Sequence, residues 1–362
     1  MAVPGSGAIS LNDFHVEAGG SSGSNCSIND SDIRDLIDKS SGATMSFNEW
    51  YGATAFTPWQ ISGGSDGGTS GNYKFRYFNS SANLSIDQVG TEALDYLVVA
   101  GGGSGGYSRH SGDSGGGGAG GYATGTFAPT STGNISITIG AGGATGQGTG
   151  PYGQPYILSN DGNNSVISGY ITATGGGGAG AGTLETSEDT KIGYGGRPGG
   201  SGGGGAGSAG HNTLAGGEGT TNQGNDGGTA SSDSYPGGGG GKGGAAAQGT
   251  SSMRTGDGGV GSNTGNANHD GAYRGGGGGA GTGARNSGYA GGNGNYNNNG
   301  GAANSAGGGV GAVNKSNTAS TTGTANKGGG GGGGSNFEGN PTGKPGAAGG
   351  SGFVAVRYRY QA

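Results

Sequence analysis

Apolar residues alternate in short runs over the first hundred positions and then retreat to a few isolated segments. In "YKFRYFNS" (73–80), Tyr73, Phe75 and Tyr77 alternate with Lys74 and Arg76, the two-residue period of a strand with one buried face. "ANLSIDQVG" repeats the pattern with Leu84 and Ile86, and "LDYLVVA" is a continuous apolar strand that runs straight into "GGG". Further strands are expected at "NISITIG", at "NSVISGYITAT" and at the terminal "FVAVRYRY". Helical spacing occurs only near the start. Ile33, Leu36 and Ile37 follow Asp30 and Asp32, acids that suit a helix start. In "SFNEWYG", Ser46 and Glu49 fit a capping box and Gly52 a stop. "AISLNDFHV" (8–16) reads as a strand beside these two short helices.

This pattern divides the chain into three parts: a small α+β module over 1–54, a β-strand region over 55–100, and a glycine-punctuated region over 101–362. A module of about fifty residues is too small to be robust alone, so it is expected to lean on a neighbour or on copies of itself. In the third part, glycine runs recur between polar segments rich in Asn, Ser, Thr and Tyr, and the longest holds seven consecutive glycines at 328–334. With 104 glycines among 362 residues and 28% hydrophobic content, a conventional core can serve only a fraction of the chain.

A flexible linker is the ordinary reading of one such tract. Here the runs contain Ala more than Ser or charge, they recur, and apolar strands bracket the series. The ordered alternative is polyproline II, an extended helix with three residues per turn, about 3.1 Å rise and no internal hydrogen bonds. Every N–H and C=O then points outward and needs a partner. Parallel-packed polyglycine rods supply those partners, because only glycine lets backbones approach that closely. The expected fold class is therefore mainly β and irregular: a polyproline II (polyglycine II) slab, two or three layers thick, with flanking strands and the small N-terminal module. Ala is expected on faces turned away from a neighbouring rod.

Charge narrows the function. Up to Val98 there are eleven acids against four bases, and beyond it eleven against twelve. No basic field exists to attract nucleic acid or anionic lipid. The single Cys26 excludes an intrachain disulfide framework, and four scattered histidines offer no zinc spacing. The longest apolar run, "YLVVA", is far too short for a membrane span, and "MAVPGSGAIS" lacks the features of a signal peptide. "GGGGGKGG" fails as a phosphate loop, because Pro236 holds the first glycine position and Gly243 follows Lys242. His15, His110, His211 and His269 have no nearby nucleophile motif. Glu185, Glu188 and Asp189 read first as a solvated loop, second as a weak cation or receptor contact and last as a carboxylate pair for glycoside cleavage, and "SNDGNNS" reads as a turn. No catalytic residue, metal site or cofactor is expected.

The polar segments carry Tyr107, Tyr152, Tyr156, Tyr194, Tyr235, Tyr273, Tyr289 and Tyr296 beside Asn and Ser. That is the composition of antibody paratopes, where the tyrosine ring gives rigid contact area and its hydroxyl a polar handle. Tyrosines also suit the capping of slab ends against water. The segments densest in Arg, Tyr and Asn nominate Arg254, His269, Tyr273, Arg274, Arg285, Asn286, Tyr289, Tyr296 and Asn297 as contact residues.

The succession "SGNYKFRYFNSSANLSIDQVGTEALDYLVVAGGGSGG", "GYATGTFAPTSTGNISITIGAGG", "NSVISGYITATGGGGAG" and "GGSGFVAVRYRY" resembles the glycine-rich domain of bacteriophage tail fibres and distal adhesins, over roughly 55–360. A related "LVVAGGGG" arrangement occurs in some animal receptor kinases. "GAISLNDFHVEAGG", "INDSDIRDLI" and "MSFNEWYGA" also look like the opening of phage virion proteins. The resemblance implies a slab of polyproline II rods whose end loops meet a host receptor, a glycan or an outer-membrane protein. It implies an extracellular virion protein without enzymatic activity, attached or trimerised through its N-terminal module. A structural virion component without a receptor is the alternative, and an ice-binding bundle a third.

Overall fold

The computed structural model describes residues 2–108, 112–146, 159–181, 184–185, 191–192, 194–208, 214–231, 235–249, 256–281, 306–312, 319–335 and 344–361. The N-terminal module has its own core of Val3, Phe14, Ile33, Leu36 and Trp50. Helix α1 is Leu11–Glu17, α2 is Ser31–Asp35, and a 3-10 turn covers Phe47–Trp50. The capping box of Ser46 and Glu49 is present as expected. The strand expected at 8–16 is a helix instead. Ser10 and Asp13 close a second capping box, and Leu11, Phe14 and Ala18 recur at helical spacing to face the module core. The Asp38–Arg359 ion pair (3.6 Å) and the Glu17 carboxylate on the Ala55 N–H (2.9 Å) tie the module to the rest of the chain.

Two five-stranded antiparallel sheets follow. The first has the order β1 (Gln60–Ser62), β4 (Ala82–Gln88), β7 (Gly133–Thr138), β8 (Ser165–Ile167), β9 (Ile171–Ala173). The second has the order β2 (Ser65–Ser70), β3 (Tyr73–Phe78), β10 (Phe353–Arg359), β5 (Leu94–Val99), β6 (Tyr122–Phe127). Trp59, Ile61, Phe78, Leu84, Ile86, Val98, Phe127, Ile137, Ile167, Val354 and Val356 share the core between them. The other face of the second sheet buries Leu97, Val99, Tyr122, Phe353 and Ala355 with Ala267. Strands covered on both faces explain why "LVVA" and "FVAV" are continuously apolar. For the same reason β3 does not have one wet face: Phe75 points one way and Phe78 the other, and both are buried.

Strands continue directly into glycine rods. Strand β5 runs into 100–106, β7 into 140–143 and β9 into 174–181, while 114–121, 160–164 and 346–352 feed β6, β8 and β10. Between the sheets, side chains hold the backbones about 10 Å apart. Beyond Ala100 those side chains vanish and the two layers bond to each other: the Gly101 N–H donates to Asn163 O (3.0 Å), and the Gly176 N–H to Gly101 O (2.8 Å).

The bonding has a three-residue period, as polyproline II requires. In the rod 114–121, the amides of Gly115 and Gly118 donate to Gly180 and Gly177, those of Gly117 and Gly120 to Gly331 and Gly328, and those of Gly116 and Ala119 to Gly237 and Gly240. Its carbonyls at Gly115 and Gly118 accept from Gly106 and Gly103, those at Gly116 and Ala119 from Gly204 and Ser201, and that at Gly117 from Gly278. The rods 100–106, 174–181, 200–206, 236–241, 276–281 and 328–334 thus encircle it. Each bonds to the next around the ring, through 176→101, 177→201, 237→205, 239→278, 330→276 and 331→103. The array is hexagonal, with 114–121 at its centre.

The packing leaves no room for side chains at these positions. A Cβ added at Gly115, Gly116 or Gly117 would lie 2.1, 2.0 or 2.2 Å from a carbonyl oxygen of a different rod. Besides Ser114, the one non-glycine in the central rod is Ala119, which is buried yet sits where its Cβ meets no neighbouring rod. It lies three residues beyond Gly116, which faces Gly278, and at the corresponding level the adjacent rod has turned away at Gly275 (φ 70°).

The seven-glycine run is likewise a rod. Gly331 and Gly334 donate to 100–106, Gly330 and Gly333 to 276–281, and Gly332 to Thr321, while 114–121, 306–312 and 346–352 donate to its carbonyls. Gly331→Val would place its Cβ 2.0 Å from Ala347 O. We expect this variant to lose cooperative thermal unfolding of the glycine region; an unchanged transition would return the run to linker status.

Candidate functional site

Rod direction sorts the connections between rods into two groups. The rods 114–121, 160–164 and 346–352 run toward the sheets, and 236–241 is parallel to the first of these. The rods 100–106, 174–181, 200–206, 276–281 and 328–334 run away. Turns at 219–224, 241–244, 261–275 and 324–328 therefore lie at the sheet end. Asn222 (φ 64°) and Asn326 (φ 61°) take the left-handed conformation in two of these turns. The described residues flanking 109–111, 147–158, 209–213, 232–234, 250–255, 313–318 and 336–343 all lie at the opposite, far end. Gly281 lies at the far end and Ala306 at the sheet end.

The far end is stitched by short backbone ladders. Residues 112–113 pair with 207–208, Asp113 bridges Ser335, and Ser335 and Lys344 exchange two backbone bonds of 3.1 and 2.7 Å. The buried Ser114 hydroxyl lies 2.7 Å from Gly106 O and 2.6 Å from Gly334 O. On this base sit Tyr194, 44% exposed, and the half-buried Tyr107 and Tyr235. Sequence reasoning included these three among the loop tyrosines but did not nominate them. Counting rods from the strand that feeds the first one would have assigned them a common end.

Three nominated residues are described, and all three lie at the sheet end. His269 stacks on Phe75 with ring centroids 4.2 Å apart. Arg274 is buried, bonds Asn268 Oδ1 (2.7 Å) and both carboxylate oxygens of Asp270 (2.9 and 2.6 Å), and lies 4.0 Å over the Phe353 ring. Tyr273 is half-buried beside it. Tyr122 reaches the same loop, its hydroxyl donating to Thr264 O, and burial pushes that hydroxyl up to about 12. These groups fasten the 261–274 loop over the second sheet's outer face. Arg254, Arg285, Asn286, Tyr289, Tyr296 and Asn297 lie outside the described residues.

The Asp270 carboxyl is subject to opposed effects. Burial pushes it up, but the hydrogen bonds and charge of Arg274, with the Ala272 N–H and the charge of Lys327, hold it below the ordinary range. A carboxyl lowered by folding contributes stability above its unfolded value and loses it as pH falls through the folded value. Wild type should therefore lose part of its thermal stability on acidification below about pH 4, and Asp270→Asn should flatten that part of the profile. Arg274→Met should destabilise by about 1.5–3 kcal/mol, the range for hydrogen bonds to a charged group, read by thermal unfolding at pH 7.

Among the described residues no group of His, Cys, Asp and Glu is placed to hold a metal ion, and no helix is long and apolar enough to cross a membrane. No curated protein matches the chain. The model of the glycine-rich domain matches residues 80–295, from just before β4 through the rods 100–106, 114–121, 174–181, 200–206, 236–241 and 276–281. The chain belongs to the glycine-rich domain family.

Proposed function

We propose that the chain is a non-enzymatic bacteriophage tail-fibre or adhesin protein that binds a host-surface glycan or outer-membrane protein through the far end of its rod array. The polarity of the rods supports this reading. The described residues flanking seven polar connections lie at one end of the rod array, while the sheets, with the turns 219–224, 241–244, 261–275 and 324–328, occupy the other. Recognition loops are commonly carried in this way, on a framework that positions them without taking part itself.

Exposed Tyr194, with Tyr107 and Tyr235, supplies aromatic surface at that end, suited to stacking on sugar rings or to apolar protein contact. The N-terminal module, with its separate core, attaches to the particle or assembles the chain as a trimer. Several copies on one virion then make individually weak contacts sufficient. No nucleic acid, membrane insertion or cofactor enters this mechanism.

The test is binding of purified protein to host cells, and adsorption of virions carrying its variants. Tyr194→Ala and replacement of 285–299 should each reduce cell binding at least several-fold without changing thermal unfolding. Arg274→Met should lower stability and leave binding of the folded fraction intact. Absence of cell binding by wild type would overturn the receptor reading and favour a structural virion component.

A further inference from the structure

The rod 174–181 has rods on all sides but one. Its amides at Gly176 and Ala179 donate to the rod 100–106, and those at Gly177 and Gly180 to 200–206. The remaining pair, Gly175 and Gly178, also three residues apart, donates to side chains: Asn164 Oδ1 (2.8 Å) and Asp161 Oδ1 (2.7 Å). Asp161 Oδ1 also receives Arg197 Nε (3.0 Å), and the Arg197 guanidinium bonds Ser159 O (2.5 Å). An added Cβ at Gly178 would first meet Ser159 Oγ and Arg197 Nη2, both side-chain atoms. At Gly177 it would meet the backbone carbonyl of Arg197.

We propose that this edge is a seat for one more glycine rod, held shut by Asp161, Asn164 and Arg197, and that the occupant kept out is a rod of a second copy of this chain. Asp161 and Asn164 stand three residues apart on 160–164, so their oxygens reproduce the spacing of rod carbonyls. The outer side of the seat faces solvent, with the Asp161 and Arg197 side chains 48% and 45% exposed. The occupant is defined by the donors: amides at every third residue match the carbonyl spacing of a polyproline II rod, and glycine rods are what this chain carries in number. An open edge of this kind is a hazard like the unpaired edge strand of a sheet, which natural proteins blunt with charged side chains. Here the charge is supplied by an Asp–Arg pair.

The test uses the full chain with Asp161→Gly and Asn164→Gly together, studied by sedimentation beside wild type. The folded double variant should shift to a species of twice the wild-type mass, and excess hexaglycine should reverse the shift. Asp161→Asn, which keeps an acceptor oxygen, should sediment as wild type. A folded double variant that sediments as wild type would overturn the proposal, as would equal association by Asp161→Asn. If the double variant fails to fold, Asp161→Gly alone decides the matter: it frees the Gly178 amide and should associate, and wild-type sedimentation of folded Asp161→Gly would overturn the proposal.

Discussion

The structure depends on one interaction, the backbone hydrogen bond between neighbouring polyglycine rods. Such a rod makes no bonds within itself, so each amide must find a carbonyl on another segment. In 114–121 the donors point in three directions and the acceptors in three others, and each direction is met by a different rod. This arrangement excludes Cβ atoms, which is why glycine dominates the sequence. Fold and composition are consequences of the same geometry.

That interaction does not carry the fold unaided. A backbone hydrogen bond contributes about 1 kcal/mol net, while ordering one residue costs about 1–2 kcal/mol, with glycine at the expensive end. The surplus comes from the sandwich, where Trp59, Phe78, Leu84, Ile86, Val98, Val354 and Val356 are removed from water. The sheets also set the register. Val99 opposes both Tyr122 and Phe353, and the pairing continues into the glycine through Ala100 on Gly121 and Gly102 on Gly350. The rods therefore inherit their starting positions from strands whose side chains specify them.

The parts legible in the sequence are those with side-chain patterns. Alternation at Leu84 and Ile86 locates β4, and Ser46 with Glu49 locates the 3-10 turn. Residues 8–16 misled because Ile9 and Leu11 alternate like a strand, while the capping signal is the less familiar Ser10–Asp13 pair. Glycine runs identify rods but not their neighbours, since one glycine is like another and the bonding partners are set by three-dimensional register. The 261–274 loop has the Asn, His, Tyr and Arg of a binding surface, yet His269 and Arg274 spend their contacts on Phe75, Asp270 and Phe353. The clue to that role lies elsewhere in the chain. Continuous apolar runs in β5 and β10 need cover on both faces, and one sheet can cover only one.

Amide hydrogen exchange resolved at the glycines of 114–121 is the most direct measurement of the central claim. Uniform protection along that rod, lost together with protection of Val98 and Val354 in the sandwich, is the predicted result. Exchange of those glycines at the rate of an open chain, with the sandwich still protected, would contradict the account.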